Sequence, residues 1–120
     1  MKKGCDHVEC LFCKIANHEL QATVVVEDEH IIAFEDINKI APVHVLVVPK
    51  KHLQNVAELD PEDMRLLSAI QAAIKHIVQA TGIEESGFRV VTNAGESAGQ
   101  SVFHLHYHVI GGRNLNVALG

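Results

Sequence analysis

Three histidines alternate with apolar residues late in the chain, in the run Phe103-His104-Leu105-His106-Tyr107-His108-Val109-Ile110. On an extended strand, successive side chains point to opposite faces, so the three imidazoles would share one face. Leu105, Tyr107 and Val109 would take the other. Nine histidines in 120 residues allow some clustering by chance, but strict alternation between apolar flanks argues against it. Imidazole exchanges protons near neutral pH, attacks electrophiles and binds metals. A single ion shared by all three fits poorly, because His104 and His108 would have Cα atoms about 13 Å apart on a strand. Only a bulge or strong curvature would bring them to one tetrahedral ion. One histidine could still ligate a metal while the others do chemistry. A nucleophile beside a same-face proton donor suits the spacing better.

Other residues point the same way. The loop Asn93-Ala94-Gly95-Glu96-Ser97-Ala98-Gly99-Gln100-Ser101 has glycines that let backbone N–H groups approach an anion such as phosphate. It delivers Gln100 and Ser101 to the histidine strand. His44 lies inside a second apolar strand, Ala41–Lys50. Phe34-Glu35-Asp36-Ile37 sets carboxylates beside apolar residues, as a site for ribose and base could use. Cys10-Leu11-Phe12-Cys13 is a Cys-x-x-Cys pair, open as a redox motif, as buried thiols, or as half of a zinc site.

Composition narrows the partners. Ten Lys and Arg against fifteen Asp and Glu give a net charge of −5, which disfavours nucleic acid as a broad partner. No apolar run approaches the ~20 residues of a membrane span. The N-terminus Met1-Lys2-Lys3-Gly4 lacks the apolar stretch of a secretory leader, so a cytoplasmic protein is expected. Three cysteines crowded near one end suit reduced thiols or metal ligands better than disulfides.

The elements that must position these residues form an α+β domain covering residues 1–120, with 1–9 expected to be mobile. Residues 10–18 suit a short helix. Thr23–Glu27 and Ile31–Glu35 read as a hairpin, and Val43–Val48 as a third strand ended by Pro49. A long helix is expected to start with Asp60 as N-cap and Pro61 in the first turn, and to end at Gly82. Phe88–Thr92 and Val102–Ile110 complete a five-stranded antiparallel sheet with the helix on one face.

Together these segments resemble the histidine triad (HIT) superfamily, specifically its Hint branch of nucleotide-binding phosphoramidases. Residues 104–110 match the motif His-φ-His-φ-His-φ-φ, where φ is apolar. The resemblance extends through Leu11–Ile15, Phe34–Ile37, Ala41–Pro49, Asn93, Gly99–Phe103 and the closing Gly111-Gly112-Arg113. It implies that His106 attacks the α-phosphorus of a purine nucleoside 5′-phosphoramidate, giving a nucleotidyl-histidine that water hydrolyses to a nucleoside monophosphate. His108 would contact the phosphate and protonate the leaving amine, and His44 would support the nucleophile. Asn93, Gln100 and Ser101 would contact phosphate and Asp36 the ribose. Leu11, Phe12, Ile15, Phe34 and Ile37 would line a pocket for an AMP-like or GMP-like purine nucleotide. Bacterial relatives with this Cys pair imply a structural zinc on Cys10, Cys13, His52 and His104, and the family implies a homodimer with sheets joined across the two-fold axis. Cys5 and His7 have no evident partner. A nucleotide-binding adaptor without significant catalysis, a metal-dependent hydrolase and a dinucleoside polyphosphate hydrolase are the alternatives. The short tail Asn114–Gly120 departs from longer family termini, which leaves leaving-group preference open.

Overall fold

The computed structural model describes residues 10–115. The elements run α1 (Leu11–Ala16), β1 (Val24–Glu27), β2 (Ile31–Glu35), β3 (Val43–Pro49), α2 (Met64–Thr81), α3 (Ile83–Ser86), β4 (Phe88–Val91) and β5 (Tyr107–Gly111), with 3-10 turns at Val56–Glu58 and Glu96–Ala98. The five strands form one sheet in the order β1-β2-β3-β5-β4, and every neighbouring pair is antiparallel. The expected α+β architecture is the one observed. The expected mobile N-terminus, with Cys5 and His7, lies outside the described residues, as does most of the tail.

The central strands are covered on both faces, which explains their unbroken apolar runs. Ile31, Ala33, Val45, Val47 and Val109 turn toward α2 and meet Leu66, Ile70, Ala73 and Ile77. Ile32, Phe34, Leu46 and Val48 turn the other way, toward Phe12, Ile15 and Ala16 of α1. The period of two then assigns the chemistry to the α1 face. His44 shares the parity of Leu46 and Val48, and His108 sits opposite Leu46 in the β3–β5 register.

Three of the boundaries that differ from expectation have a local cause. The long helix starts at Met64 with Asp63 as N-cap, its side chain accepting from Leu66 N–H. Asp60 instead accepts from Glu62 N–H at 2.9 Å, closing a turn before the helix. Pro49 belongs to β3, paired with Ile31. The fifth strand begins at Tyr107 and not Val102. The preceding segment is drawn off the sheet, with Leu105 N–H donating to the Leu53 carbonyl at 2.7 Å. His104 and His106 therefore sit on irregular backbone leading into β5, and only His108 of the three lies on the strand.

Candidate active site and metal-ligand cluster

A cavity of ≈ 670 Å³ opens on the α1 face. Phe12 and Ile15 from α1, Phe34 from β2 and Leu46 from β3 contribute apolar walls. His106, His108, Asp36 and Ser101 bring polar groups to the same space. Leu11 and Ile37 complete the set of expected apolar residues, although Ile37 is 95% exposed and contributes a rim rather than a wall. Gln21, Ala22, Thr23, Asn38, Lys39 and Val102 also line it. Nothing in their types singled them out in the sequence. They enter because they flank β1, β2 and the histidine segment.

The hydrogen bonds fix which nitrogen of each imidazole is protonated. Nδ1 of His106 lies 2.7 Å from the carbonyl oxygen of His104. A carbonyl only accepts, so Nδ1 carries the proton and Nε2 keeps its lone pair. Nδ1 of His44 receives the backbone N–H of Ile40 at 3.2 Å, so the proton of the neutral ring is on Nε2. That nitrogen lies 2.9 Å from Nδ1 of His108 and 3.3 Å from Oδ2 of Asp36. Donation from His44 to His108 makes Nδ1 of His108 an acceptor and leaves its proton on Nε2. The His106 and His108 ring centroids are 5.0 Å apart. One ring thus has an unprotonated nitrogen to offer, and its neighbour an N–H.

Electrostatics keep these rings neutral. Burial pulls His108 down from the ordinary imidazole range to about 4, with His106 and His44 adding repulsion and Asp36 opposing. Burial also lowers His106, against the His104 carbonyl and Asp36. His44 is lowered by burial in the same way, with Asp36 opposing and Lys39 adding to the shift. A neutral imidazole is the nucleophilic form.

Asp36, His44 and His108 offer three atoms close enough to surround an ion. The Ile40 N–H argues against that use. It occupies Nδ1 of His44, so freeing Nε2 for a metal would place a proton on Nδ1 against another donor. A relay of hydrogen bonds satisfies the same atoms without conflict.

Two expected phosphate contacts lie elsewhere. Gln100 is buried, and its amide is consumed by the loop. Its Nε2 donates to the Gln54 carbonyl at 2.7 Å and to the Val102 carbonyl at 3.0 Å. Its Oε1 accepts from Gly95 N–H at 2.8 Å. The side chain therefore shapes the glycine loop and does not reach into the cavity. Asn93, half-buried just after β4, is not part of the cavity wall.

Beside this cavity, Cys10, Cys13, His52 and His104 bring their ligand atoms within 4.8 Å of one another. Sγ of Cys13 is 3.2 Å from Nδ1 of His52 and 3.5 Å from Nδ1 of His104. Sγ of Cys10 is 3.3 Å from Nδ1 of His104. Tetrahedral zinc with ordinary bond lengths separates sulfur from nitrogen by about 3.5 Å. His104 donates Nε2–H to the Pro49 carbonyl at 2.8 Å, which aims an unprotonated Nδ1 at the two sulfurs. The four residues can hold a metal ion. Phe12 stands between the two sites, its ring 6.1 Å from that of His104 and 5.0 Å from that of His106.

An antiparallel α+β domain with a chain of neutral histidines in an apolar-walled cleft defines a class of small proteins built around this triad. The chain belongs to the HIT domain family, whose pattern matches residues 17–115. It is 42% identical over 102 residues to protein HitA of Neisseria gonorrhoeae, covering 85% of this chain and 94% of that one. An uncharacterized HIT-like protein of Synechocystis is 44% identical over 105 residues, covering 88% and 91%. Among solved structures, a HIT family hydrolase from Clostridium thermocellum superposes with a TM-score of 0.88 at 45% identity, covering 94% of this chain and 98% of that one. A HIT family hydrolase from Legionella pneumophila gives 0.88 at 45%, covering 93% and 100%.

Proposed function

We propose that this protein is a hydrolase of purine nucleoside 5′-phosphoramidates. The observation that carries the reading is the unprotonated Nε2 of His106 in a cleft beside the N–H of His108. His106 Nε2 attacks the α-phosphorus, and the P–N bond breaks as the N–P bond to histidine forms. His108 takes up a proton from solvent as the anionic substrate binds, with Asp36 offsetting the charge from behind, and gives its Nε2 proton to the leaving amine. Water then attacks phosphorus and gives a proton back to His108, the N–P bond breaks, and the nucleoside monophosphate leaves with the His106 imidazole restored. Two displacements suit imidazole because it is both nucleophile and leaving group. The cavity is of the size that holds a small ligand. Its apolar walls Leu11, Phe12, Ile15, Phe34 and Ile37 would take the purine. Asp36 has used one acceptor site for Asn38 N–H, and a carboxylate retains others for ribose hydroxyls. Ser101 would meet the phosphate. Asn93 could do so only by turning toward the cleft, and Gln100 only by giving up its loop contacts.

The Cys10, Cys13, His52 and His104 cluster would hold a structural zinc, whose thiolate ligands suit a reducing, cytoplasmic setting. The protein would be a homodimer joined through β4. That edge strand exposes Phe88 and Val90, each 41% accessible, and an uncovered apolar edge invites pairing.

The test is incubation with adenosine 5′-phosphoramidate and product analysis by mass spectrometry, with acid-quenched samples examined for an adenylylated His106. Turnover that resists EDTA, with an adduct lost in His106→Ala, is expected. Binding of AMP without turnover would favour the adaptor.

A further inference from the structure

The closing Gly111-Gly112-Arg113 segment has an assignable task. Gly111 packs so closely that a Cβ there would lie 2.9 Å from Ile83 Cδ1. Gly112 has φ +98 and lies flush against Pro42, where a Cβ would come within 3.0 Å. The chain can therefore turn tightly at the end of β5, and the turn brings Arg113 across the β2–β3 loop. Its Nε and Nη2 donate to the Ile40 carbonyl at 3.0 and 2.9 Å. Its Nη1 donates to the Asn114 carbonyl at 2.7 Å. Ile40 is the residue whose N–H meets Nδ1 of His44.

We infer that Arg113 is a positioning residue that sets the tautomer of His44, and through it the proton donor of His108. A bidentate guanidinium holds a carbonyl in both distance and direction. With the Ile40 carbonyl held, the same residue's N–H stays on Nδ1 of His44. The proton of His44 is then confined to Nε2, and Nδ1 of His108 must accept it. Without this hold, His44 can carry its proton on Nδ1. Nε2 of His44 then becomes an acceptor, Nδ1 of His108 becomes the donor, and the proton leaves the nitrogen of His108 that serves the substrate. Arg113 does not line the cleft, so it acts only through Ile40 and His44.

The consequence for rate rests on the proposed phosphoramidase reading, but the tautomer does not. The experiment is long-range ¹H–¹⁵N NMR of histidine-labelled protein, wild type and Arg113→Ala, Arg113→Gln and Arg113→Lys, with melting curves to verify folding. In the wild type, His44 and His108 are expected as Nε2–H tautomers. In Arg113→Ala and Arg113→Gln, both rings should shift toward Nδ1–H. kcat should fall about tenfold while KM changes less than about threefold, since acid–base positioning is lost and ligand contacts are kept. Arg113→Lys should restore part of both. Folded Ala and Gln variants with wild-type tautomers would overturn the inference, whatever their activity. Shifted tautomers in a protein that cleaves no phosphoramidate would uphold it and sink the proposed activity instead.

Discussion

His104 serves two sites at once: its ring faces the cysteine pair, while its carbonyl oxygen accepts a hydrogen bond from His106 Nδ1–H at 2.7 Å. The backbone of one residue thus decides which nitrogen of the His106 ring keeps its lone pair. His106→Ala should reduce phosphoramidate cleavage on the order of 10³-fold or more and leave AMP binding nearly intact, checked by turnover and by calorimetry. His104→Ala should lose bound metal yet keep this backbone contact, so its activity loss should be the smaller one.

The metal-ligand cluster and the histidine-lined cleft share α1 as a wall. Metal analysis should find about one zinc per chain, and Cys10→Ala or Cys13→Ser should lose it. With the wall loosened, the dissociation constant for AMP should rise about tenfold if one molecule in ten keeps the closed arrangement. Substoichiometric zinc in untagged wild type would remove the zinc assignment.

Gln100 allows a contact with phosphate to be separated from a role in shaping the loop. Gln100→Ala leaves Gly95 N–H and two carbonyls without their partner. The cost to unliganded stability should be about 2–3 kcal/mol, read as a lower urea midpoint. An unchanged midpoint with weakened AMP binding would return Gln100 to the phosphate.

Acid should destabilise the protein through its buried rings. His108 is depressed to about 4 and His44 is also lowered, both chiefly by burial. Unfolding lets both rings take up protons at their ordinary value, near 6.5. Between that value and the depressed folded ones, the unfolded chain binds more protons, so stability rises with pH there. Urea midpoints should be flat above about pH 7 and fall as pH drops from about 6.5 toward 4. His44→Gln should make that fall shallower.

Gly112 sets a limit on the turn after β5. Gly112→Ala combines φ +98 with a 3.0 Å approach to Pro42. Its stability should drop by about 1–3 kcal/mol, seen by urea unfolding.

Local patterns made much of this legible. The apolar runs of β2 and β3 announced strands, and the residues marked for the pocket largely meet at one cleft. What misled was local as well. Asp60 before Pro61 reads as an N-cap, but its carboxylate closes a turn onto Glu62 N–H, and Asp63 accepts from Leu66 N–H as the cap instead. His104 through His106 alternates as a strand would, but the bond from Leu105 to Leu53 pulls that segment off the sheet. The Arg113–Ile40 contact spans 73 positions, and no local pattern encodes it.

The helix α1 has six residues, well below the length at which a helix persists alone in water. It exists because Phe12, Ile15 and Ala16 are buried against β2 and β3. In Cys10→Ala, where no metal would hold it, its opening need not involve the sheet or α2, and should appear in hydrogen exchange as an early, separate unit. In that variant the state with this wall open would be about a thousandfold more populated than the unfolded chain wherever the two opening free energies differ by about 4 kcal/mol.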